Sequence, residues 1–213
     1  MFRATLSVFG GLFTLLTLGI IGTAIAIGGI FWVYGKDLPS HSSLAQYKPP
    51  TISRIYSAEG KLIDEFARER RLFTASEDIP SLIKHAFISA EDKNFYSHPG
   101  YDLLGIFSAI FDAARTGGRR VRGASTITQQ VMKNFLLDGS RKAERKVKEI
   151  ILATRIEDTL SKEEILELYL NEIFLGQNSY GVTAAAQTYF NKTLDDLAPH
   201  EAAFLASLPK APS

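Results

Sequence analysis

The chain has 213 residues, with 24 Lys and Arg against 23 Asp and Glu, a formal net charge of +1, and no cysteine. Balanced charge leaves no overall field for a nucleic-acid backbone, so nucleic acid is not expected as a partner and any polyanion has to be met by a local cluster. Disulfide scaffolds, thiol nucleophiles and cysteine-ligated zinc are excluded.

The run from Val8 to Val33 carries no charge. As a helix it would reach roughly 39 Å, against about 30 Å of bilayer hydrocarbon. Ala24-Ile25-Ala26 imitates a signal-peptidase site, but the apolar run continues through Ile30-Phe31-Trp32-Val33, which favours a retained anchor. Arg3 precedes the span and Trp32 and Tyr34 end it, so the expected topology has residues 1–7 as a cytoplasmic tail, 8–34 as the anchor and the rest outside the cytoplasm. Residues 35–50, rich in Ser and Pro, read as a linker. Residues 51–74 hold two strand-like runs around Ser57-Ala58-Glu59-Gly60, a hairpin pattern.

From Ile79 the pattern turns helical. Ile79, Leu82, Ile83, Ala86, Phe87 and Ala90 form a buried stripe, with Pro80 in the first turn, and this helix ends at Glu91-Asp92. A second helix is expected over 102–115, followed by the basic stretch "TGGRRVRG". A third runs from Ser125 to Leu137 with Ile127, Val131 and Phe135 inward, and a fourth covers 141–160 with Ala143, Val147, Ile150, Ile151 and Thr154 as its stripe. Ser161 to Glu164 fits a capping box that opens a fifth, and shorter helices follow at 180–190 and 196–208. Residues 75–213 are thus a mostly α domain.

Two helix faces bear chemistry. On the fourth helix Arg141, Lys142, Arg145, Lys146 and Glu149 gather on one side. A solvated face with an Arg145–Glu149 pair is one reading; an anion cradle suited to a diphosphate is the other. The third helix starts with Ser125, Thr126, Thr128, Gln129 and Gln130, and Thr126, Gln130 and Lys133 share a face with Asn134 alongside. These are caps or an anion site at a helix start. Ser81-Leu82-Ile83-Lys84 and Ser207-Leu208-Pro209-Lys210 match the acyl-enzyme pattern S-x-x-K, but its K-T-G and S-x-N partners do not occur. His85, Glu91, Asp92 and His98 lack the compact spacing of a metal site, and His98 is expected to order its loop. A carboxylate pair beside cationic faces suits displacement at a sugar carbon, with one carboxylate as base and cations on a departing diphosphate.

Four blocks in order resemble the peptidoglycan glycosyltransferase domain of class A penicillin-binding proteins of the 1A type, glycosyltransferase family 51. They are "EDKNFYSHPGYD" (91–102), "GASTITQQVMKN" (123–134), "RKVKE" (145–149) and "ILELYLNEIFLGQNSYGVTAAAQTYF" (165–190); "LASLPKAPS" (205–213) is similar to the closing segment. The resemblance implies a mostly α, lysozyme-like head with a small membrane-facing lobe, after one transmembrane helix and a short β-hairpin. It maps Glu91 onto the catalytic glutamate, Asp92 onto its acidic neighbour and Glu149, rather than Glu144, onto the second glutamate. Asp92, His98, Ser125, Thr126, Gln130, Lys133, Asn134, Arg141, Arg145 and Lys146 become the expected substrate contacts.

The implied reaction is polymerisation of lipid II into β-1,4-linked glycan with inversion and release of undecaprenyl diphosphate. Glu91 would deprotonate the acceptor hydroxyl, and Lys133, Arg141, Arg145 and Lys146 would offset the leaving charge. A divalent cation, magnesium or manganese, is expected at the diphosphate, and no organic cofactor. Expected partners are lipid II, the growing glycan, the bilayer of a bacterial inner membrane and other cell-wall synthesis proteins. Class A proteins continue into a transpeptidase domain, so 75–213 is expected to be a glycosyltransferase domain cut short within a longer protein, with a monofunctional transglycosylase as the alternative, and without penicillin binding of its own. A lytic lysozyme-like hydrolase and a non-catalytic membrane scaffold are the rival readings. The basic loop at 114–123 is expected to close over the donor site.

Overall fold

The structure, a computed structural model, describes residues 2–36, 38, 53–60, 62–66, 70–117, 123, 125–135 and 142–210. Most of the expected linker, the centre of the basic loop, Arg141 and the side chain of Asn134 lie outside the described residues.

Helix α1 (Phe2–Gly35) is unbroken, and its stretch Gly10–Gly35 is long and apolar enough to cross a membrane. Its Leu, Ile and Phe side chains from Leu12 onward are exposed, an arrangement that costs free energy in water and none in hydrocarbon. Thr14, Thr17 and Thr23 donate their hydroxyls to carbonyls four residues earlier, each at 2.8 Å, so they offer an apolar surround no unpaired donor.

Strands β1 (Ser53–Tyr56) and β2 (Leu62–Phe66) pair antiparallel. Gly60 N–H closes the intervening turn on Ser57 O at 2.9 Å. Strand β3 (Arg70–Arg71) pairs in parallel with β4 (Ser179–Tyr180), a ladder that local sequence pattern does not announce. Here the chain enters the head. Buried Arg71 ion-pairs with Glu172, its guanidinium 5.2 Å from the Tyr180 ring centroid. Asn171 pairs with the Thr74 backbone as a strand would, accepting from its N–H at 2.8 Å and donating to its carbonyl at 2.9 Å.

The head is built of α2 (Ser81–Glu91), α3 (Leu103–Arg115), α4 (Ile127–Phe135), α5 (Lys142–Glu157), α6 (Lys162–Glu172), α7 (Val182–Phe190) and α8 (Pro199–Ser207). Helix α2 packs on α8, α4 on both α5 and α6, and α7 on α6 and α8. Their shared core includes Ile83, Phe87, Ile127, Met132, Leu152, Ile156, Leu166, Tyr169, Leu170 and Leu205. Each aliphatic, phenylalanine or methionine side chain among them contributes about 1.5–3 kcal/mol by leaving water. The capping box at Ser161 and Glu164 is present.

Two stripes differ from expectation. On α2, Leu82 faces solvent and Ile88 is buried. On α5 the fully buried row is Glu149, Leu152, Ala153 and Ile156, joined by Ile151, whereas Val147, Ile150 and Thr154 are half-buried. Both rows have helical spacing. The first meets α4, and α1 also packs on α5, so this helix serves two neighbours. The outcome places Glu149 in the interior instead of on a solvated face. Helix α3 leaves Leu103, Leu104, Phe107 and Phe111 exposed along one side.

Candidate active site

Burial of Ile83 and Phe87 fixes α2 so that its last residue, Glu91, ends at a cleft of about 710 Å³. Asp92, Ser125, Thr126 and Gln130 line the same cleft, as do Leu104, Gly105 and Ser108 of α3.

Gln130 Nε2 donates to Glu91 Oε2 at 2.9 Å. The other oxygen, Oε1, is buried and has no hydrogen-bond partner, although Lys210 Nζ stands 3.7 Å away. Lys210 itself donates to the Ala90 carbonyl at 2.8 Å. Glu91 therefore has one oxygen held and one available.

Asp92 does different work. Its carboxylate accepts from His98 Nε2 at 2.9 and 3.1 Å and from the Ile127 N–H at 2.9 Å, where it caps the start of α4. Gly100 N–H donates to His98 Nδ1 at 3.1 Å, which leaves the ring proton on Nε2, facing Asp92. Thr126 Oγ1 donates to the Gly100 carbonyl at 2.7 Å and accepts from Gln129 N–H at 3.2 Å. The His98-Pro99-Gly100 turn is thus stitched to α4, and Lys162 holds its far side by donating to the His98 carbonyl and to Glu157, both at 2.7 Å.

On α5, Lys146 Nζ donates to Ser125 Oγ and Gln129 Oε1 at 2.8 Å and to Glu149 Oε2 at 3.2 Å. Glu149 Oε1 lies 3.5 Å from Arg145 Nε. The carboxylate is buried while both cations stay partly exposed, so the positive side of the cluster is the accessible one. Clustered cations held by one buried carboxylate can take an anion without prior reorganisation.

The structure thus gathers Glu91, Asp92, Ser125, Thr126 and Gln130 at the cleft, with Lys146 joined to its rim through Ser125. His98 sits behind the wall and Lys133 is exposed on α4, neither lining the cleft. Sequence reasoning placed Gln129 among the polar residues at the start of the third helix but not among the expected substrate contacts; it bridges the Gly100 carbonyl and Lys146. That reasoning also left Lys210 as a chance S-x-x-K match; only the chain's return past α8 brings that side chain to Glu91. Tyr169 is a third omission. Its buried hydroxyl has no hydrogen-bond partner, and burial, then the negative charges of Glu91 and Asp92, push its pKa well above the usual 10.

Among the described residues no three His, Asp or Glu side chains group as a metal site. The two oxygens of Glu149 face Arg145 and Lys146. These residues do not fit a resident divalent cation.

A family model described as transglycosylase matches residues 59–213. The chain is 55% identical over 186 residues to a penicillin-binding protein 1A from Rickettsia felis, covering 86% of this chain and 24% of that protein. It is 50% identical over 196 residues to a penicillin-binding protein 1A from Neisseria flavescens, covering 92% and 24%. It thus spans about a quarter of the length of these curated relatives. A 2.6 Å crystal structure of penicillin-binding protein 1A from Haemophilus influenzae is 31% identical over 78% of this chain and 15% of that one. Its TM-score of 0.37 is too low to bear on the architecture. With the model match covering most of the chain and half its residues shared with those relatives, the chain belongs to the transglycosylase family.

Proposed function

We propose that the chain is a membrane-anchored peptidoglycan glycosyltransferase that joins lipid II units into β-1,4-linked glycan. The observation that carries this reading is the buried Oε1 of Glu91, which no hydrogen bond holds and which only the Lys210 ammonium, 3.7 Å away, faces, inside a cleft whose other acids are engaged. Oε1 takes the proton from the acceptor sugar's 4-hydroxyl. The resulting oxygen attacks the anomeric carbon of the donor from the face opposite its diphosphate, the carbon–oxygen bond to the diphosphate breaks, and the configuration inverts. The departing charge meets Arg145 and Lys146, oriented by Glu149. A divalent cation enters this reading only as a companion of the substrate's diphosphate oxygens.

The neighbouring acids argue against a hydrolase. Most glycosidases use a second carboxyl group, as acid for a poor leaving group, as base on a water or as nucleophile. Asp92 has both oxygens bound by His98 and Ile127 N–H. Asp102 caps α3, and the Gly105 N–H, then the Asn94 amide, hold its carboxyl below the usual range, so it stays ionised. A diphosphate leaves without protonation and needs neither.

The bilayer is the proposed location of α1 and of the exposed apolar side of α3, with the amino terminus cytoplasmic and the cleft on the outer side of a bacterial inner membrane. Glycan polymerisation from lipid II in detergent, beside Glu91→Gln, is the test. The expected loss is about 10²–10⁴-fold with an unchanged melting midpoint. Equal polymer from both chains would sink Glu91 as the base, and a folded parent making none would favour the scaffold reading.

A further inference from the structure

Helix α1 ends at Gly35, and the last carbonyls of any helix lack partners within it. Gly35 is buried, and its carbonyl accepts from Arg155 Nη2 of α5 at 2.7 Å. The fit is close, since a Cβ at position 35 would lie 3.2 Å from the same guanidinium nitrogen. Three residues on, Leu38 packs against the hydrophobic core of the head. On the outer side, Lys36 Nζ lies 3.3 Å from the centroid of the exposed Trp32 ring. A cation at the negative end of a helix is favourable, and more so where a membrane surface excludes water.

Arg155 stands on the helix that carries Arg145, Lys146 and Glu149. Glu149 and Arg155 are six residues apart, about 9 Å along the axis and on different faces. One rigid element therefore meets the cleft with one face and the end of the anchor with another.

We infer that Arg155 is a positioning residue: by gripping the end of α1 it sets the height at which the cations of α5 meet a diphosphate held at the membrane surface by its lipid. This rests on the proposed glycosyltransferase reading for its consequence, but not for the grip itself. Where the lipid is fixed in a bilayer, the height of the cations decides how often the headgroup reaches them. In a detergent micelle, substrate and anchor adjust freely and the height matters little.

The chain has a single tryptophan, Trp32, and no cysteine, so a bimane on Asp158→Cys, an exposed site one turn beyond Arg155, reports the proximity of the anchor's end by tryptophan quenching. The comparison is between Asp158→Cys alone and the same chain with Arg155→Ala, using lipid II as substrate in liposomes and in detergent. Arg155→Ala is expected to relieve the quenching and to raise KM in liposomes about tenfold, the equivalent of one charged hydrogen bond, with kcat within about twofold. In detergent the two chains should match, and Arg155→Lys should recover part of the KM. Retained quenching overturns the inference, as does a loss of kcat in both media with a lowered melting midpoint. If the parent makes no polymer, the glycosyltransferase reading fails, and the quenching alone decides whether Arg155 holds the anchor.

Discussion

Gln130 and Glu91 meet at 2.9 Å across the junction of α4 and α2, an amide nitrogen on one carboxylate oxygen. The bond leaves the other oxygen as the proposed base and fixes its direction. Gln130→Ala should therefore lower kcat about ten- to a hundredfold, as expected when a catalytic group loses its orientation, with little change in KM. Steady-state polymerisation rates check this; a change in KM alone would make Gln130 a binding residue.

Gly100 is expected to tolerate no side chain. Its φ is +89°, and a Cβ there would lie 2.7 Å from the Ala153 carbonyl oxygen, which is backbone and cannot yield. Gly100→Ala should cost about 3 kcal/mol or more in denaturant unfolding, from left-handed strain and the clash together. Activity should fall with it, because the same residue's N–H orients His98 and its carbonyl anchors Thr126.

Tyr169 predicts an alkaline weakness. Below about 10, the ordinary tyrosine value, folded and unfolded chains both keep the phenolic proton. Above it the unfolded chain releases the proton while the folded chain retains it, because the folded value is raised, so stability falls as pH climbs from about 10 towards that value. Tyr169→Phe should flatten this loss. At neutral pH it should leave the melting midpoint unchanged or slightly higher, since the hydroxyl has no hydrogen bond to lose. Thermal melts at several pH values decide; a drop of several degrees at neutral pH would reveal a partner for the hydroxyl.

The apolar side of α3 offers a membrane test. Phe107 and Phe111 are 67% and 66% exposed and neither lines the cleft, so replacing both by serine should alter folding stability by only about 0.5 kcal/mol each. If that side enters the bilayer, each loses roughly 2 kcal/mol of burial there, and polymerisation in liposomes should drop while detergent activity holds. Equal rates in both media would place α3 in water.

Local pattern was enough for the elements themselves. The uncharged run of α1, the capping box at Ser161, the 3–4 spacing of α2 and the end of that helix at Glu91 all depend on residues within one or two turns of each other. The cationic side of α5 was legible for the same reason, and so were Glu91, Gln130, Lys146 and Glu149 as a candidate group, once ordered motifs resembling a known family were recognised.

What tertiary structure decided lies at longer range. Two rows of α5 have helical spacing, and only packing against α4 selected the one that buries Glu149, because periodicity describes a helix and not its neighbours. Asp92 became a cap of α4 through a bond to Ile127, and Lys210 reached Ala90 and the free oxygen of Glu91 across 120 residues. The grip of Arg155 on Gly35 spans the same separation. Such contacts follow from how the core closes, since burying the apolar faces of α2, α4, α6 and α8 together is what brings these distant polar groups within hydrogen-bond reach.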